Sequence, residues 1–251
     1  MIMFGVRFGL LGPISVVNGG VEVDAGPPQQ RGVLALLLLN KGRQVSLDQI
    51  VNALWCPQAP RSAVVTTRTY ISRLRRALAD SVEVEITSAG DGYRLAVDPG
   101  TVDVTAFRRI TAAAREARKR GNAAEASSLL RGALRLWRGP ALDGLDGPFF
   151  GGRRAWLERL RAAAMEELWA LDIELGHYGE AIAGLTRATA AEPYRERLWE
   201  LLMWAYERDG RPAEALAAYQ RIARLLDDDL GLSPGPGLRR AHALIDTVSL
   251  V

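Results

Sequence analysis

The sequence predicts a mainly α-helical chain with small β elements, in two domains built on different plans. Three observations carry that expectation. Strand and tight-turn chemistry is confined to the first hundred residues, where it brackets three helical segments. It stops at Asp98-Pro99-Gly100, and helical patterning runs on from there. The pattern G-x-x-x-E-A occurs at 121–126, 176–181 and 210–215, and the last two copies lie 34 residues apart, a spacing of stacked helical repeats. The expected boundaries are 1–99 and 100–251.

The opening, FGLLGPISVVNGGVEV, alternates short apolar runs with Gly12-Pro13 and Asn18-Gly19-Gly20, which reads as a small antiparallel sheet. Pro27-Pro28 then precedes QQRGVLALLLLNKG, a helix ending near Asn40 and Gly42. In SLDQIVNALW, Ser46 and Gln49 form a capping box, and Leu47, Ile50, Val51, Leu54 and Trp55 share one helical face. Pro57 and Pro60 break that helix, and Ser62 stands as N-cap of a third one running to about Ala79. Val84-Glu85-Ile86 and Tyr93 to Val97 alternate about Ala89-Gly90-Asp91-Gly92, a hairpin. Cys56, the sole cysteine, reads as a small buried apolar residue.

The third helix holds the informative surface. At about 100° per residue, Val64, Thr67, Ile71, Leu74 and Leu78 make its buried stripe, with Ser62, Thr66, Thr69, Arg73 and Arg76 opposite. Thr69 and Arg73 point outward, flanked by Val65 and Ser72. From Arg61 to Arg76 there are five arginines and no carboxylate, although the net charge of the chain is only +3. Charge alone fits either a polyanion footprint or a solvated face. A solvated helix, however, intersperses acids for i,i+4 pairing, and none is present. An arginine fork matches guanine or phosphate, and a threonine methyl matches a thymine methyl, so the pattern points to nucleic acid.

Strands, three helices and a hairpin follow the order of a winged helix-turn-helix, whose third helix enters the major groove. Through LDQIVNALW, TYISRLRRAL and GDGYRL, residues 1–99 resemble the OmpR/PhoB-type DNA-binding domain of response regulators. The whole chain resembles the Streptomyces antibiotic regulatory protein family, which joins that domain to an all-helical bacterial transcriptional activation domain. The resemblance implies base contacts from Thr69 and Arg73. It implies phosphate contacts from Thr66, Tyr70, Ser72, Arg75 and Arg76, and from Thr87 and Tyr93 of the hairpin. Where many response regulators carry a wing arginine, this chain has Ala89, which leaves Arg94 as the candidate wing contact. The function implied is a sequence-specific transcriptional activator of a secondary-metabolite gene cluster. Its partners would be duplex DNA carrying tandem direct repeats, a second copy on that DNA, and RNA polymerase through sigma factor and core subunits.

In the second domain each G-x-x-x-E-A glycine should close one helix, and its alanine should let the next approach closely, as in tetratricopeptide-like repeats. Trp137, Trp156, Trp169, Trp199 and Trp204 recur beside leucines on amphipathic helices, which favours core packing over an aromatic ligand box. The insertion GPALDGLDGPFFGG, 139–152, is either a connection whose phenylalanines plug the core or part of a partner surface. A last helix, Gly237 to about Val248, should cap the stack.

Composition excludes other classes. One cysteine and two histidines, His177 and His242, supply neither a disulfide framework nor a zinc site, so no metal or cofactor is expected. His177 sits in a repeat turn and reads as a turn residue. No phosphate loop, nucleophile elbow or acid/base histidine is present, so the chain is not expected to be an enzyme. The longest apolar run, VLALLLL, is far short of the roughly 20 residues that cross a bilayer. No membrane partner is expected, and the expected location is the cytoplasm, at the nucleoid. The competing reading is a protein-interaction adaptor whose N-terminal domain has lost DNA affinity.

Overall fold

The computed structural model describes residues 5–81 and 83–248. They fall into two compact units: the residues up to 112 with 132–162, and 113–131 with those from 163 onward.

In the first unit β1 (Arg7–Gly9), β2 (Ser15–Asn18) and β3 (Val21–Val23) form an antiparallel sheet in that order. Helix α1 (Pro28–Leu39) follows, and its end is the expected one: the Asn40 Nδ2 amide donates to the Leu36 carbonyl, and Gly42 takes φ +74°. Every residue from Gly32 to Leu38 is buried, so α1 is the central helix rather than an amphipathic one. Gly32 is needed for packing, since a Cβ there would lie 2.6 Å from Leu54 and 3.4 Å from the Phe150 ring.

After β4 (Val45–Ser46), α2 (Leu47–Trp55) starts on the complete capping box. Gln49 N donates to Ser46 Oγ at 3.1 Å, and Ser46 N donates to Gln49 Oε1 at 3.0 Å. Ser46→Ala is expected to lower stability by about 1 kcal/mol in urea unfolding; an unchanged midpoint would show that the cap contributes nothing. Cys56 is exposed, contrary to expectation. It lies past the last helical residue in an exposed stretch running to Ser62, where no apolar face is available to cover it.

Helix α3 (Ala63–Ala77) packs on α1 and α2. Two details differ from the sequence reading. Ser62 makes no side-chain cap, because its φ of −85° and ψ of 0° are not the extended angles that aim a hydroxyl at the first amides. Val64 is 36% exposed while Ala63 is buried. The stripe therefore runs through Ala63, Thr67, Ile71, Leu74 and Leu78, with Val64 about 60° off its centre. Strands β5 (Glu85–Ala89) and β6 (Gly92–Ala96) form the expected hairpin about Gly90-Asp91, and β6 is central in the order β4-β6-β5.

A 3-10 turn (Pro99–Thr101) leads into α4 (Asp103–Lys119), followed by α5 (Ala123–Leu134) and α6 (Pro148–Glu174). The Asp103 carboxylate accepts the Leu10 and Leu11 amides at 2.9 Å, tying α4 to the end of β1. Burial pushes its carboxyl above the ordinary range despite those donors and Arg138. Part of the 139–152 insertion packs into the core, while Asp143, Gly144 and Asp146 to Pro148 are exposed. Ala141, Leu142, Leu145 and Phe150 are buried, and Leu142 N donates to the Leu10 carbonyl. Arg154 donates to the carbonyls of Ala141, Leu142 and Leu145.

The second unit contains α7 (Tyr178–Ala191), α8 (Glu196–Arg208), α9 (Pro212–Leu230) and α10 (Pro236–Val248). The three motif copies behave alike. Gly121, Gly176 and Gly210 have φ of +77°, +83° and +74°, and the next amide returns to the carbonyl five residues back in each. The motif alanines Ala126, Ala181 and Ala215 are all fully buried. Trp169 and Trp199 join the core, with Trp199 Nε1 donating to the Pro193 carbonyl. In the first unit Trp137 is buried too, so packing accounts for these rings. Helix α10 covers the stack through Leu238, Ala241 and Ile245. His177 stands at the N-cap position of α7, in the turn.

Candidate nucleic-acid interface

The outward face of α3 is built by its opposite face. With Thr67, Ile71 and Leu74 at 0–1% exposure, the helix has no rotational freedom, and Thr69, Ser72, Arg73 and Arg76 are exposed. Every ion pair among the described residues involves positions 103 and beyond, so Arg61, Arg68, Arg73, Arg75 and Arg76 have no carboxylate partner. In the helices beyond residue 103, by contrast, arginines pair repeatedly, as Arg115 with Glu167 and Arg131 with Asp172 do. The unpaired row on α3 leaves a positive potential facing solvent, which attracts a polyanion.

The predicted site residues fall into three groups. Arg73, Arg76 and Ser72 are exposed, and their side chains make no hydrogen bond or ion pair among the described residues; Thr66 is half-buried, and its side chain is likewise unbonded. A second group carries bonds of its own. Thr69 Oγ1 donates to the Val65 carbonyl at 3.1 Å, and Tyr70 OH donates to Gln29 Oε1 on α1 at 2.9 Å. Since a phosphate only accepts, Tyr70 must release Gln29 before its hydroxyl can donate to one.

Arg75 belongs to this group as well. Its Nε donates to the Ile86 carbonyl at 2.8 Å, an Nη reaches Ser88 Oγ at 3.2 Å, and the guanidinium lies 5.7 Å from the Tyr93 ring centroid. Arg75 thus joins α3 to the hairpin and keeps part of its five-donor fork for another acceptor. It brings Tyr93, half-buried on the same face of the hairpin, to the helix.

The third group is set apart. The Thr87 hydroxyl is buried and has no hydrogen-bond partner, so a phosphate contact through it requires rotation of the side chain. Arg94 is exposed, but successive residues on a strand face opposite ways. With Tyr93 under Arg75, Arg94 faces away from α3 and lines a cavity with Leu38, Lys41 and Val102. The structure does not bring the candidate wing contact to α3.

Sequence reasoning missed two neighbours of these side chains: Gln29 positions Tyr70, and Ser88 positions Arg75. The partners Gln29 and Ser88 are 41 and 13 residues from the side chains they hold, and local pattern carries no trace of such pairings. Val65, which the sequence placed on the outward face beside Thr69, is 65% exposed there.

The chain is similar to known transcriptional regulators over nearly its whole length. Residues 23–95 match the transcriptional regulatory protein C-terminal family, and residues 102–245 match the bacterial transcriptional activator domain family. The regulatory protein DnrI of Streptomyces peucetius is 33% identical over 250 residues, covering 96% of this chain and 92% of its own. The regulatory protein AfsR of Streptomyces coelicolor is 42% identical over 96% of this chain, which spans 24% of AfsR. In three dimensions, the structure of Mycobacterium tuberculosis EmbR in complex with a low affinity phosphopeptide matches with a TM-score of 0.92. It is 36% identical, over 97% of this chain and 65% of that one.

Proposed function

Because the chain belongs to the Streptomyces antibiotic regulatory protein family of DNA-binding transcriptional activators, we propose that it recognises operator sequences through α3 and activates transcription of a secondary-metabolite gene cluster. The observation that carries this reading is the exposed, carboxylate-free row on α3, in which Arg73 and Arg76 stand unpaired beside Ser72 and Thr69. Two copies bind tandem direct repeats beside a promoter in the cytoplasm. Thr69 and Arg73 face base edges. Ser72, Arg76 and Thr66, with Tyr70, Arg75 and Tyr93 behind them, hold phosphates and so set the register. Thr87 and Arg94 stand outside that set.

The helical repeats supply the second half of the task by holding RNA polymerase through sigma factor and core subunits. A few kcal/mol of contact there raises promoter occupancy by one or more powers of ten, and extended repeat surfaces suit several weak contacts. No cofactor enters this scheme and no catalysis is required.

The test is retardation of duplexes carrying tandem repeats against scrambled duplexes as salt is raised. Specific binding whose log affinity falls linearly with log salt supports the proposal. Arg76→Ala should weaken all duplexes alike and reduce the salt slope by about one. A chain that retards neither duplex yet still binds polymerase would be an adaptor.

A further inference from the structure

We propose that Val65 is a specificity-determining residue, reading the C5-methyl group of a thymine in the major groove beside a second thymine met by the Thr69 methyl. The inference rests on the DNA-binding reading above and names what that face selects.

The fold gives Val65 no task. Its side chain is 65% exposed, and at about 100° per residue it lies within about 20° of directly opposite the buried stripe, nearer the centre of the outward face than Arg73. A β-branched residue is a poorer helix former than the alanine or the long polar residues that suit a solvated face. An exposed valine among Thr66, Arg68, Thr69, Ser72 and Arg73 is therefore unexplained by helix stability or solubility.

Thr69 adds a second methyl to the same place. Its hydroxyl proton is committed to the Val65 carbonyl at 3.1 Å. What Thr69 then offers a groove is its methyl and an acceptor lone pair. Val65 and Thr69 are one turn apart, about 6 Å along the axis, and form an apolar strip on the N-terminal side of Arg73. Recognition helices present their N-terminal residues to base edges. Of the four standard bases, only thymine displays an apolar group in the major groove. A separation of about 6 Å corresponds to roughly two base steps of 3.4 Å. The geometry points to an operator half-site with two thymines at that spacing, followed by a guanine for the Arg73 fork.

The experiment separates this inference from the reading beneath it. Bound sequences are selected from a random duplex pool with the full chain. Each thymine of the recovered consensus is then replaced singly by deoxyuridine, which removes only the methyl group. At the thymine facing Val65 the wild-type chain should lose about fourfold in affinity, the equivalent of one buried methyl group. Val65→Ala, a change at an exposed position to a better helix former, should bind the thymine and uracil duplexes equally. Its affinity for both should match that of the wild type for the uracil duplex.

A consensus without thymine, or uracil replacements that are all neutral, overturns the proposal while leaving sequence-specific binding intact. So does a Val65→Ala chain that keeps the wild-type ratio. Recovery of no consensus at all would overturn the DNA-reading role itself.

Discussion

Arg73→Ala is expected to yield a chain that still binds duplex DNA but has lost about 1–3 kcal/mol of preference for its operator, the value of a good bidentate base contact. The side chain is exposed and makes no intramolecular bond among the described residues, so the substitution should leave the fold untouched. The measurement is a pair of dissociation constants at one salt concentration, for the operator and for the same duplex with the contacted guanine replaced. Wild type should separate the two and Arg73→Ala should not. The comparison with Arg76→Ala sharpens the test, because that position lies directly opposite the stripe and is assigned to phosphate. If both substitutions lowered affinity for every duplex equally, the division between base and phosphate contacts would be wrong.

Leu74→Ala should cost about 2–5 kcal/mol of stability, the range for removing a fully buried leucine from a core that relaxes only in part. Leu74 is 0% exposed, between Ile71 at 1% and Leu78 at 4%. Urea unfolding followed by circular dichroism would report the loss. A near-neutral result would mean that α3 is rotated about its axis, which would also move Thr69 and Arg73 from where they are drawn.

Helical periodicity made most of the recognition helix readable before any coordinates. It placed Thr67, Ile71, Leu74 and Leu78 inside and Thr69 and Arg73 outside, because one side of a helix packed on two others leaves no choice. It failed at Val64, at the first turn, where the neighbouring Ala63 takes the buried position. Motif chemistry was equally direct for the Ser46 cap and for the three repeat glycines, each of which closes a helix in the left-handed conformation. Tertiary partnerships were not readable. Nothing around Gln29 announces that it holds Tyr70, and nothing in the insertion at 139–152 announces that its backbone meets Leu10 and Gly12. Exposure of Cys56 was hidden for a similar reason: a small thiol takes its environment from what surrounds it, and here the chain after α2 packs against little.

The tether from Arg75 to Ile86 and Ser88 makes helix and hairpin one calliper whose opening is set before any ligand arrives. On the DNA-binding reading proposed above, a jaw of fixed gauge would leave the adjustment to the duplex. Steps that kink or widen easily, such as TA and CA, would then be favoured at positions no side chain touches, and stiff A-tracts disfavoured there.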